Sequence, residues 1–311
     1  MALKNNHLIN ARNSKNDEFY TQYKDIEEEV SKFKSSFNGK IVYCPCDSCN
    51  SKFPQYFKDK FKELGLKGLY RSAINDDAFY YDGNEEIRID GIVDITKQSF
   101  IDLMLKCDIV VTNPPFSLFR EFLDNIINNK KQFLIIGQQN TISCKSVFTH
   151  IMDGELTLDY GFNGIAGWFE VPSEYEDYAV AGEHKVGMIR VSGVIWYTNL
   201  PIEKEVPFIK LKKRYYNEDG SINTYYKTYD NFREISGLDE DCININKVSD
   251  IPCDYYGYMG VPISFFGKYN PRQFELIQLD HYGPLGNQDN VVDGVAKYRR
   301  IYVKQIKKEY E

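Results

Sequence analysis

Short apolar runs alternate with amphipathic segments along the first two hundred residues of the chain. The runs at 41–44, 109–111 and 133–136 are continuously apolar, as is typical of strands buried on both faces of a parallel sheet. Residues 69–72 are a candidate for a further strand, and apolar residues recur at helical spacing across 53–61. The alternation predicts an α/β fold with a doubly wound, mostly parallel sheet.

The remaining pattern predicts further elements and a change of character near residue 200. A helix is expected from Asp25, a plausible cap, through Phe33, and a hairpin over 80–93 with its turn at Asp82-Gly83. We also expect helices at 100–105 and 118–127, and strands at 168–171 and 186–200 that complete the sheet.

From Pro201 onward the segments are shorter and less regular. There Asn270-Pro271 predicts the start of a helix that leads into 274–277. We therefore predict two domains, residues 1–200 and 201–311.

The strand at 109–111 runs into the string Asn113-Pro114-Pro115-Phe116. Proline has no N–H to donate, so the strand must end near Asn113, at the carboxyl edge where open α/β sheets bind ligands. Each proline fixes its own φ, and Pro114 biases Asn113 toward an extended conformation. The sequence thus predicts a stiff loop that presents an amide side chain, backbone carbonyls and an aromatic ring.

Methyl transfer to the exocyclic amine of a nucleobase suits such a loop. The nitrogen lone pair is delocalised into the ring, and two acceptors, the Asn113 side-chain oxygen and the Pro114 carbonyl, could free it by holding the two hydrogens. Phe116 could stack on the base. A base in a duplex must first be flipped out, at about a few kcal/mol, and aromatic stacking worth roughly 1–3 kcal/mol could offset much of that. The alternative is an ordinary Asn-Pro turn, which the full string and its flanking elements disfavour.

Composition limits the class and compartment of the protein. No stretch of the 311 residues approaches 18 uncharged apolar positions, the N-terminus lacks an apolar signal core, and the seven cysteines are scattered. These features favour a cytoplasmic protein with reduced thiols. Cys44, Cys46 and Cys49 could suggest zinc, but no fourth ligand lies nearby in the sequence, so we predict no metal site. The four histidines form no spaced pair and receive no catalytic role.

The formal net charge of −7 argues against an indiscriminate nucleic-acid binder, although basic residues cluster locally with tyrosines in the last third of the chain. Such clusters are often merely solvated faces. The predicted contacts with DNA phosphates are Lys210, Lys212, Lys213, Arg214, Arg299 and Arg300.

Six segments together carry a narrower signal: NDEFYT at 16–21, YCPCD at 43–47, DIVVTNPPFSLFR at 108–120, WYTNL at 196–200, YMGVP at 258–262 and KYNP at 268–271. In this combination the chain resembles the EcoRI-type adenine-specific DNA methyltransferases over most of its length. The NPPF core alone is shared by many amino-methyltransferases.

The resemblance implies a Rossmann-like fold that binds S-adenosyl-L-methionine (AdoMet), with a C-terminal target-recognition region. It implies a catalytic loop made of Asn113, Pro114, Pro115 and Phe116. The implied cofactor contacts are Phe19, Tyr20 and Thr21 as a wall near the methionine end, Cys44, Pro45, Cys46 and Asp47 beneath the cofactor, and Asn113. Asp94 is a candidate for contacting the adenine amine of AdoMet.

Two departures from the usual AdoMet-binding pattern stand out. The loop after the first strand, CPCDSCN, contains no glycine, although glycine permits close backbone approach. Arg71 and Ser72 occupy the place after the second strand where an acid usually binds the ribose hydroxyls.

The predicted function is site-specific methylation of adenine in double-stranded DNA, with a cognate restriction endonuclease as a possible partner that need form no stable complex. Two alternatives remain open at this point. The same loop could methylate cytosine or a protein glutamine, and a catalytically idle DNA-binding protein could keep the fold.

Overall fold

The computed structural model describes residues 20–74, 76–159, 161–162, 166–171, 187–201, 206–227, 231–232, 242–279, 291–292, 295–296 and 300–307. Two of the predicted site residues, Phe19 and Arg299, lie outside this part of the chain. None of the helices in these ranges is long and apolar enough to cross a membrane.

The strands, in chain order, are β1 (Tyr20–Thr21), β2 (Ile41–Cys44), β3 (Gly68–Ala73), β4 (Asp76–Tyr81), β5 (Glu86–Ile92), β6 (Ile109–Thr112), β7 (Gln132–Gln138), β8 (Thr157–Asp159), β9 (Ala166–Glu170), β10 (Met188–Ser192), β11 (Val194–Thr198), β12 (Asn231–Phe232), β13 (Cys242–Asn244), β14 (Tyr258–Pro262), β15 (Phe274–Leu279), β16 (Val291–Val292), β17 (Val295–Ala296) and β18 (Arg300–Gln305).

The α-helices are α1 (Tyr23–Val30), α2 (Lys34–Phe37), α3 (Lys52–Asp59), α4 (Gln98–Met104), α5 (Phe119–Asn128), α6 (Lys145–Met152) and α7 (Thr224–Lys227). Short 3₁₀ helices cover Ser31–Phe33, Phe116–Leu118, Gln139–Ser143, Val248–Asp250 and Ile263–Lys268.

An eight-stranded sheet with the order β5-β4-β3-β2-β6-β7-β11-β8 forms the centre of the first compact unit. Its inner strands β3, β2, β6 and β7 pair in parallel, whereas β4, β5, β8 and β11 join through antiparallel pairs. The four residues of β6 are all buried, as a strand covered on both faces requires. The predicted α/β fold class is confirmed, with parallel pairing confined to the inner strands.

A second, three-stranded sheet corrects one prediction. The apolar segment around Trp168 does not extend the large sheet, because β9 pairs with β1 and β10 instead. Gly193, with a φ of 67°, separates β10 from β11 and lets the chain change sheets within one residue. The predicted strand at 186–200 is therefore two strands in two different sheets.

The chain divides into two compact units, Met1–Thr141 with Asp153–Glu203, and Ile142–Met152 with Lys204–Glu311. The second unit holds a five-stranded sheet with the order β12-β13-β14-β18-β15. The functional division into 1–200 and 201–311 remains a prediction.

The helix predicted from Asn270 is wrong. Asn270 does cap one turn. Its side-chain Oδ1 accepts a hydrogen bond of 2.8 Å from the Arg272 N–H, and its carbonyl oxygen accepts one of 3.0 Å from the Phe274 N–H. The chain then enters β15, which pairs with β18. A cap is a local signal, and the pairing with a distant strand overrides it.

Candidate active site

The loops that follow β2 and β6 lie side by side. The two strands are parallel neighbours, with Val42 opposite Ile109, and the chain leaves β2 toward β3 but β6 toward β7. This reversal makes the carboxyl ends of β2 and β6 a topological switch point, where open α/β sheets bind ligands. We call residues 45–50 the cofactor loop and residues 113–116 the catalytic loop, after their predicted roles.

Thr112 joins these two loops. Its hydroxyl, on the last residue of β6, contacts the carbonyl oxygen of Pro45 and lies 2.6 Å from Oδ2 of Asp47. The Thr112 side chain is fully buried, and a buried hydroxyl needs hydrogen-bond partners. The position of the cofactor loop is therefore tied to the residue that immediately precedes Asn113.

Asp47 is a buried acid, only 6% exposed. Its N–H donates to the Ser72 carbonyl at 2.8 Å, and the Ser51 hydroxyl donates to its carboxyl group. Burial raises the pKa of Asp47 to about 7, although the hydrogen bonds that the Thr112 and Ser51 hydroxyls can donate to the ionised carboxylate act in the opposite direction. Ser72 is itself fixed, because its hydroxyl lies 2.6 Å from the Tyr43 hydroxyl.

Cys46 gives the cofactor loop the backbone shape that its missing glycine would have provided. Its φ is 64°, in the left-handed region that residues with a Cβ rarely adopt. A tight turn beneath a ligand usually contains glycine for this reason. The loop therefore keeps the conformation of a glycine-containing turn without the residue itself, which accounts for the departure noted in the sequence.

The predicted cofactor wall is a short strand next to helix α3. Tyr20 and Thr21 pair with Glu170 and Phe169, and β1 also contacts α3, the helix that follows the cofactor loop. Tyr20 is 37% exposed. The Thr21 hydroxyl is buried and finds no hydrogen-bond partner within the described part of the chain. A polar atom of this kind can receive a ligand, so the wall fits the predicted role.

The catalytic loop links the end of β6 to a short helical turn. Pro115 has φ −53° and ψ 125°, and the Phe116–Leu118 turn follows, with the Leu118 N–H donating to the Pro115 carbonyl at 3.0 Å. Pro114 is buried, and Asn113 is partly buried with its Oδ1 shielded from solvent. Phe116 is partly buried and packs against the apolar core.

Asp94, near the edge of the sheet, makes hydrogen bonds with a residue close to it in the sequence. Asp94 follows the outermost strand β5, and its Oδ1 accepts from the N–H and the hydroxyl of Thr96 at 2.9 and 2.8 Å. The hydrogen bond from the Thr96 N–H is the main cause that lowers the pKa of Asp94. Contact with an adenine amine remains a prediction for this residue.

Arg71 stands where an acid is usual, and it is a buried cation that pairs with two partly exposed carboxylates. Its guanidinium is 4% exposed and bonds Oδ2 of Asp76 and Oε1 of Glu86, both at 2.9 Å. It also lies 4.1 Å from the Phe79 ring centroid. The end of β3 itself carries no acid. Asp76, on the neighbouring strand β4, brings a carboxylate to that position.

The predicted DNA contacts differ in exposure. Lys210, Lys212 and Arg214 are exposed, whereas Lys213 bonds Asp250 at 2.7 Å and lies over the Tyr225 ring. Arg300 is 7% exposed, with Nε bonded to Asn244 at 2.8 Å and Nη2 to Asn246 at 3.0 Å. A direct phosphate contact by Arg300 would require its withdrawal from these two asparagines.

Exposed aromatic rings accompany the lysines of the second unit. They are Phe208, Tyr216, Tyr225 and Tyr256. The three cysteines that could suggest zinc differ in exposure, from buried Cys44 to exposed Cys49, and no metal-binding cluster of three His, Cys, Asp or Glu side chains occurs in the described ranges.

An open α/β sheet, a glycine-like turn at its switch point and an Asn-Pro-Pro-Phe loop beside that turn define a Rossmann-like transferase of the amino-methyltransferase class. The family model described as adenine-specific methyltransferase EcoRI matches residues 7–84 and 73–310. The chain belongs to this family.

Among its relatives is the type II methyltransferase M.EcoRI of Escherichia coli, 38% identical over 96% of this chain and 95% of that protein. The type II methyltransferases M.MgeORF184P of Mycoplasma genitalium and M.MpnI of Mycoplasma pneumoniae are each 34% identical, over 96% of this chain and 98% of each relative. These matches confirm the family resemblance and the predicted function, an enzyme that methylates adenine in DNA. They disfavour cytosine and protein glutamine as the target.

Sequence reasoning missed three residues of the site. In the sequence Thr112 is only the residue before Asn113, and Ser51 and Asp76 belong to no recognisable motif. Thr112 had a usable signal, because a hydroxyl that ends a fully buried strand must find partners across the neighbouring loop. Asp76 had none, because only the pairing of β3 with β4 brings it to its position.

Proposed function

We propose that the chain transfers the methyl group of AdoMet to the exocyclic amine of an adenine extruded from double-stranded DNA. The observation that carries this proposal is the junction at Thr112, which joins the cofactor loop to the catalytic loop across the switch point of the sheet. Such a junction fixes the two reacting groups relative to each other, and orientation is most of what the protein must contribute.

Cofactor binding is assigned to Tyr20, Thr21 and the loop Cys44–Asp47. The buried Thr21 hydroxyl and the left-handed Cys46 support this assignment, since one offers a polar contact and the other lets the backbone approach closely. Phe19 belongs to the same proposal on the resemblance alone. When bound, AdoMet supplies a methyl group that its sulfonium has already activated.

The catalytic loop orients the target amine. The side-chain oxygen of Asn113 and the carbonyl of Pro114 accept its two hydrogens, which draws the nitrogen toward tetrahedral geometry and frees its lone pair. Phe116 stacks on the extruded base through the part of its ring that the core leaves exposed. Pro115 keeps the loop stiff.

No strong general base is required, since the methylated amine can lose its proton to water. Asp108, the acid nearest in sequence, serves the fold instead. Its Oδ2 accepts a hydrogen bond of 2.8 Å from the Ile41 N–H and so fixes the start of β2 against β6.

The exposed face of the second unit contributes the DNA contacts. Its cations, Lys210, Lys212 and Arg214, lie in the same chain segment as the exposed rings Phe208 and Tyr216. Cations neutralise phosphates and aromatic rings stack on unpaired bases, which makes this composition suitable for a duplex with one extruded base. A cytoplasmic location and a cognate restriction endonuclease that reads the same site complete the proposal.

Labelled methyl transfer tests this function. Purified protein is incubated with methyl-labelled AdoMet and either duplex DNA or mixed protein, and the DNA is then digested to nucleosides. We expect label only in DNA and only in N6-methyladenine. Label in cytosine or in protein would contradict the assignment of the substrate, and no label together with no AdoMet binding in calorimetry would indicate an idle DNA-binding protein.

A further inference from the structure

The Thr112 hydroxyl has one proton but contacts two oxygen atoms. These are the carbonyl oxygen of Pro45 and Oδ2 of Asp47. A hydroxyl donates only one hydrogen bond, and a carbonyl oxygen donates none. Thr112 can share its one proton between the two oxygens, or it can donate to Pro45 while a protonated Asp47 carboxyl donates to Thr112. Only the second arrangement makes both contacts full two-centre hydrogen bonds.

We propose that Asp47 is a positioning residue, which holds the cofactor loop against the catalytic loop as a neutral carboxylic acid through Thr112. Asp47 thus acts by its geometry and not by a negative charge. This inference deepens the proposed function, because it assigns a role to Asp47 within the same site. It adds a positioning role to the cofactor contact that is assigned to the loop Cys44–Asp47.

The surroundings of Asp47 favour the neutral form. The groups that face it are the hydroxyls of Thr112 and Ser51, the carbonyl of Ser72 bonded to its N–H, and the buried thiol of Cys44. No ion pair with Lys or Arg reaches Asp47 within the described ranges. Burial without a cation penalises the carboxylate and not the acid.

The substitution Asp47→Asn closely mimics the neutral acid, and this makes the inference testable. Its amide N–H₂ can donate to Thr112 and its amide oxygen can accept from Ser51, so the chain of hydrogen bonds survives. Asp47→Ala breaks that chain. If Asp47 instead acts as a carboxylate on a bound cation, Asp47→Asn should fail as badly as Asp47→Ala.

The first experiment measures thermal stability from pH 4.5 to 8.5 without DNA or cofactor. Burial raises the pKa of Asp47 from an ordinary value near 3.8 to about 7. The folded state therefore holds more protons than the unfolded state between these values, and the contribution of Asp47 to stability is full below pH 4 and is lost as the pH rises through 7. As the pH rises toward 7, the Tm of Asp47→Asn should therefore increase relative to that of the wild type. Above pH 7 the Tm difference between the two proteins should stay constant.

A matched control is Asp153→Asn, which changes an exposed acid that lies outside the site. Its Tm difference from the wild type should not vary with pH. Glu29, whose pKa burial also raises to about 7, affects the wild type and all variants equally, so the difference isolates Asp47. A Tm difference between wild type and Asp47→Asn that is flat across the range would overturn the inference.

The second experiment separates kcat from KM for AdoMet. We expect Asp47→Ala and Thr112→Val to lose at least tenfold in kcat, whereas Asp47→Asn and Thr112→Ser recover most of that loss. The wild-type kcat should also decline above pH 7, and Asp47→Asn should lack this decline. An Asp47→Asn enzyme with kcat and KM like those of Asp47→Ala would show that the charge matters, and would refute the inference.

The two experiments also separate this inference from the proposed function. If the wild type methylates no DNA, the proposed function fails, but the dependence of Tm on pH still reports whether Asp47 keeps its proton. If the wild type is active and the Tm difference is flat, only the role of Asp47 fails.

Discussion

At the scale of single residues, the proposed chemistry depends on one amide. Asn113 follows β6 directly, and its backbone is held through Thr112. We expect Asn113→Ala to retain binding of AdoMet and DNA but to lose roughly 10²- to 10³-fold in turnover, as is common when one preorganised polar group is removed. Single-turnover methylation with binding measured separately tests this.

The control for that prediction is Asn128→Ala, which removes an exposed amide at the end of α5. Its turnover should match the wild type. An Asn113→Ala enzyme with wild-type turnover would remove the proposed role of the amide.

Cys46 supports a second prediction at this scale. Its left-handed φ of 64° costs a residue with a Cβ about 1–2 kcal/mol, while glycine in a structured position costs about 0.5–1 kcal/mol in entropy. Cys46→Gly should therefore change the free energy of unfolding by less than about 1 kcal/mol. Cys46→Val, with a branched Cβ, should lower it by more than about 1 kcal/mol.

Chemical denaturation of four variants checks the effect of the backbone at Cys46. Cys49 lies in the same loop, is exposed and does not have a positive φ. Cys49→Gly and Cys49→Val should show the opposite order, with glycine the more destabilising. The same order at both positions would mean that the left-handed turn at Cys46 has no energetic weight.

The residues of the site were predictable to different degrees. The catalytic loop could be located because proline stops a strand through its own covalent structure, whatever surrounds it. The protonation of Asp47 and the junction at Thr112 could not, because both depend on burial and on a neighbouring strand. Local chemistry is readable from a sequence, whereas electrostatics requires the distances between residues.

At the scale of elements, the inner strands and the edge hairpin of β4 and β5 were predictable, whereas β9 and β15 were not. Strands β2, β6 and β7 are continuous apolar runs because both their faces are covered. The segment that forms β15 mixes burial and exposure, with Phe274 buried and Glu275 exposed, and was mistaken for a helix because of the Asn270 cap. The assignment of β9 to a second sheet depends on its partner β1, which no local pattern reveals.

The hairpin at the edge of the large sheet depends on Arg71. Its guanidinium joins β3 to Asp76 on β4 and Glu86 on β5. Arg71→Met removes a buried cation from Asp76 and Glu86, although Glu86 keeps Lys58 at 2.8 Å, and we expect the free energy of unfolding to fall by roughly 1–3 kcal/mol. Urea denaturation at pH 7 measures it.

Arg88→Met is the matched control, because Arg88 pairs with Asp77 on the same hairpin but its side chain is 62% exposed. An exposed pair contributes only about 0.2–1 kcal/mol. Equal losses for both variants would contradict a special role of Arg71.

At the scale of the whole molecule, the net charge of −7 and the exposed lysines of the second unit have different consequences. The negative net charge disfavours indiscriminate binding to nucleic acids, whereas a local basic face permits binding in one orientation. The double variant Lys210→Ala, Lys212→Ala should weaken DNA binding and reduce the slope of log affinity against log salt by about 0.9 for each lost phosphate contact, about 1.8 in total.

Titrations at several salt concentrations, by fluorescence anisotropy, measure that slope. The control is Lys62→Ala, an exposed lysine of the first unit. Lys213→Ala should differ from both, because it also leaves Asp250, which is 3% exposed, without its ammonium partner and so lowers stability. A slope that the double variant leaves unchanged would reassign Lys210 and Lys212 to ordinary surface.

The pairing of β1 with β9 has a consequence for the synthesis of the protein. Tyr20 pairs with Glu170. Strand β1 can therefore pair with β9 only after 150 further residues have been synthesised. The inner strands β2, β3, β6 and β7 are all translated by Gln138. A nascent chain can therefore assemble its central sheet early, as domains do during translation, while the wall beside α3 closes only later. An incomplete polypeptide can thus hold the central sheet of the enzyme before Tyr20 and Thr21 gain the strand that positions them.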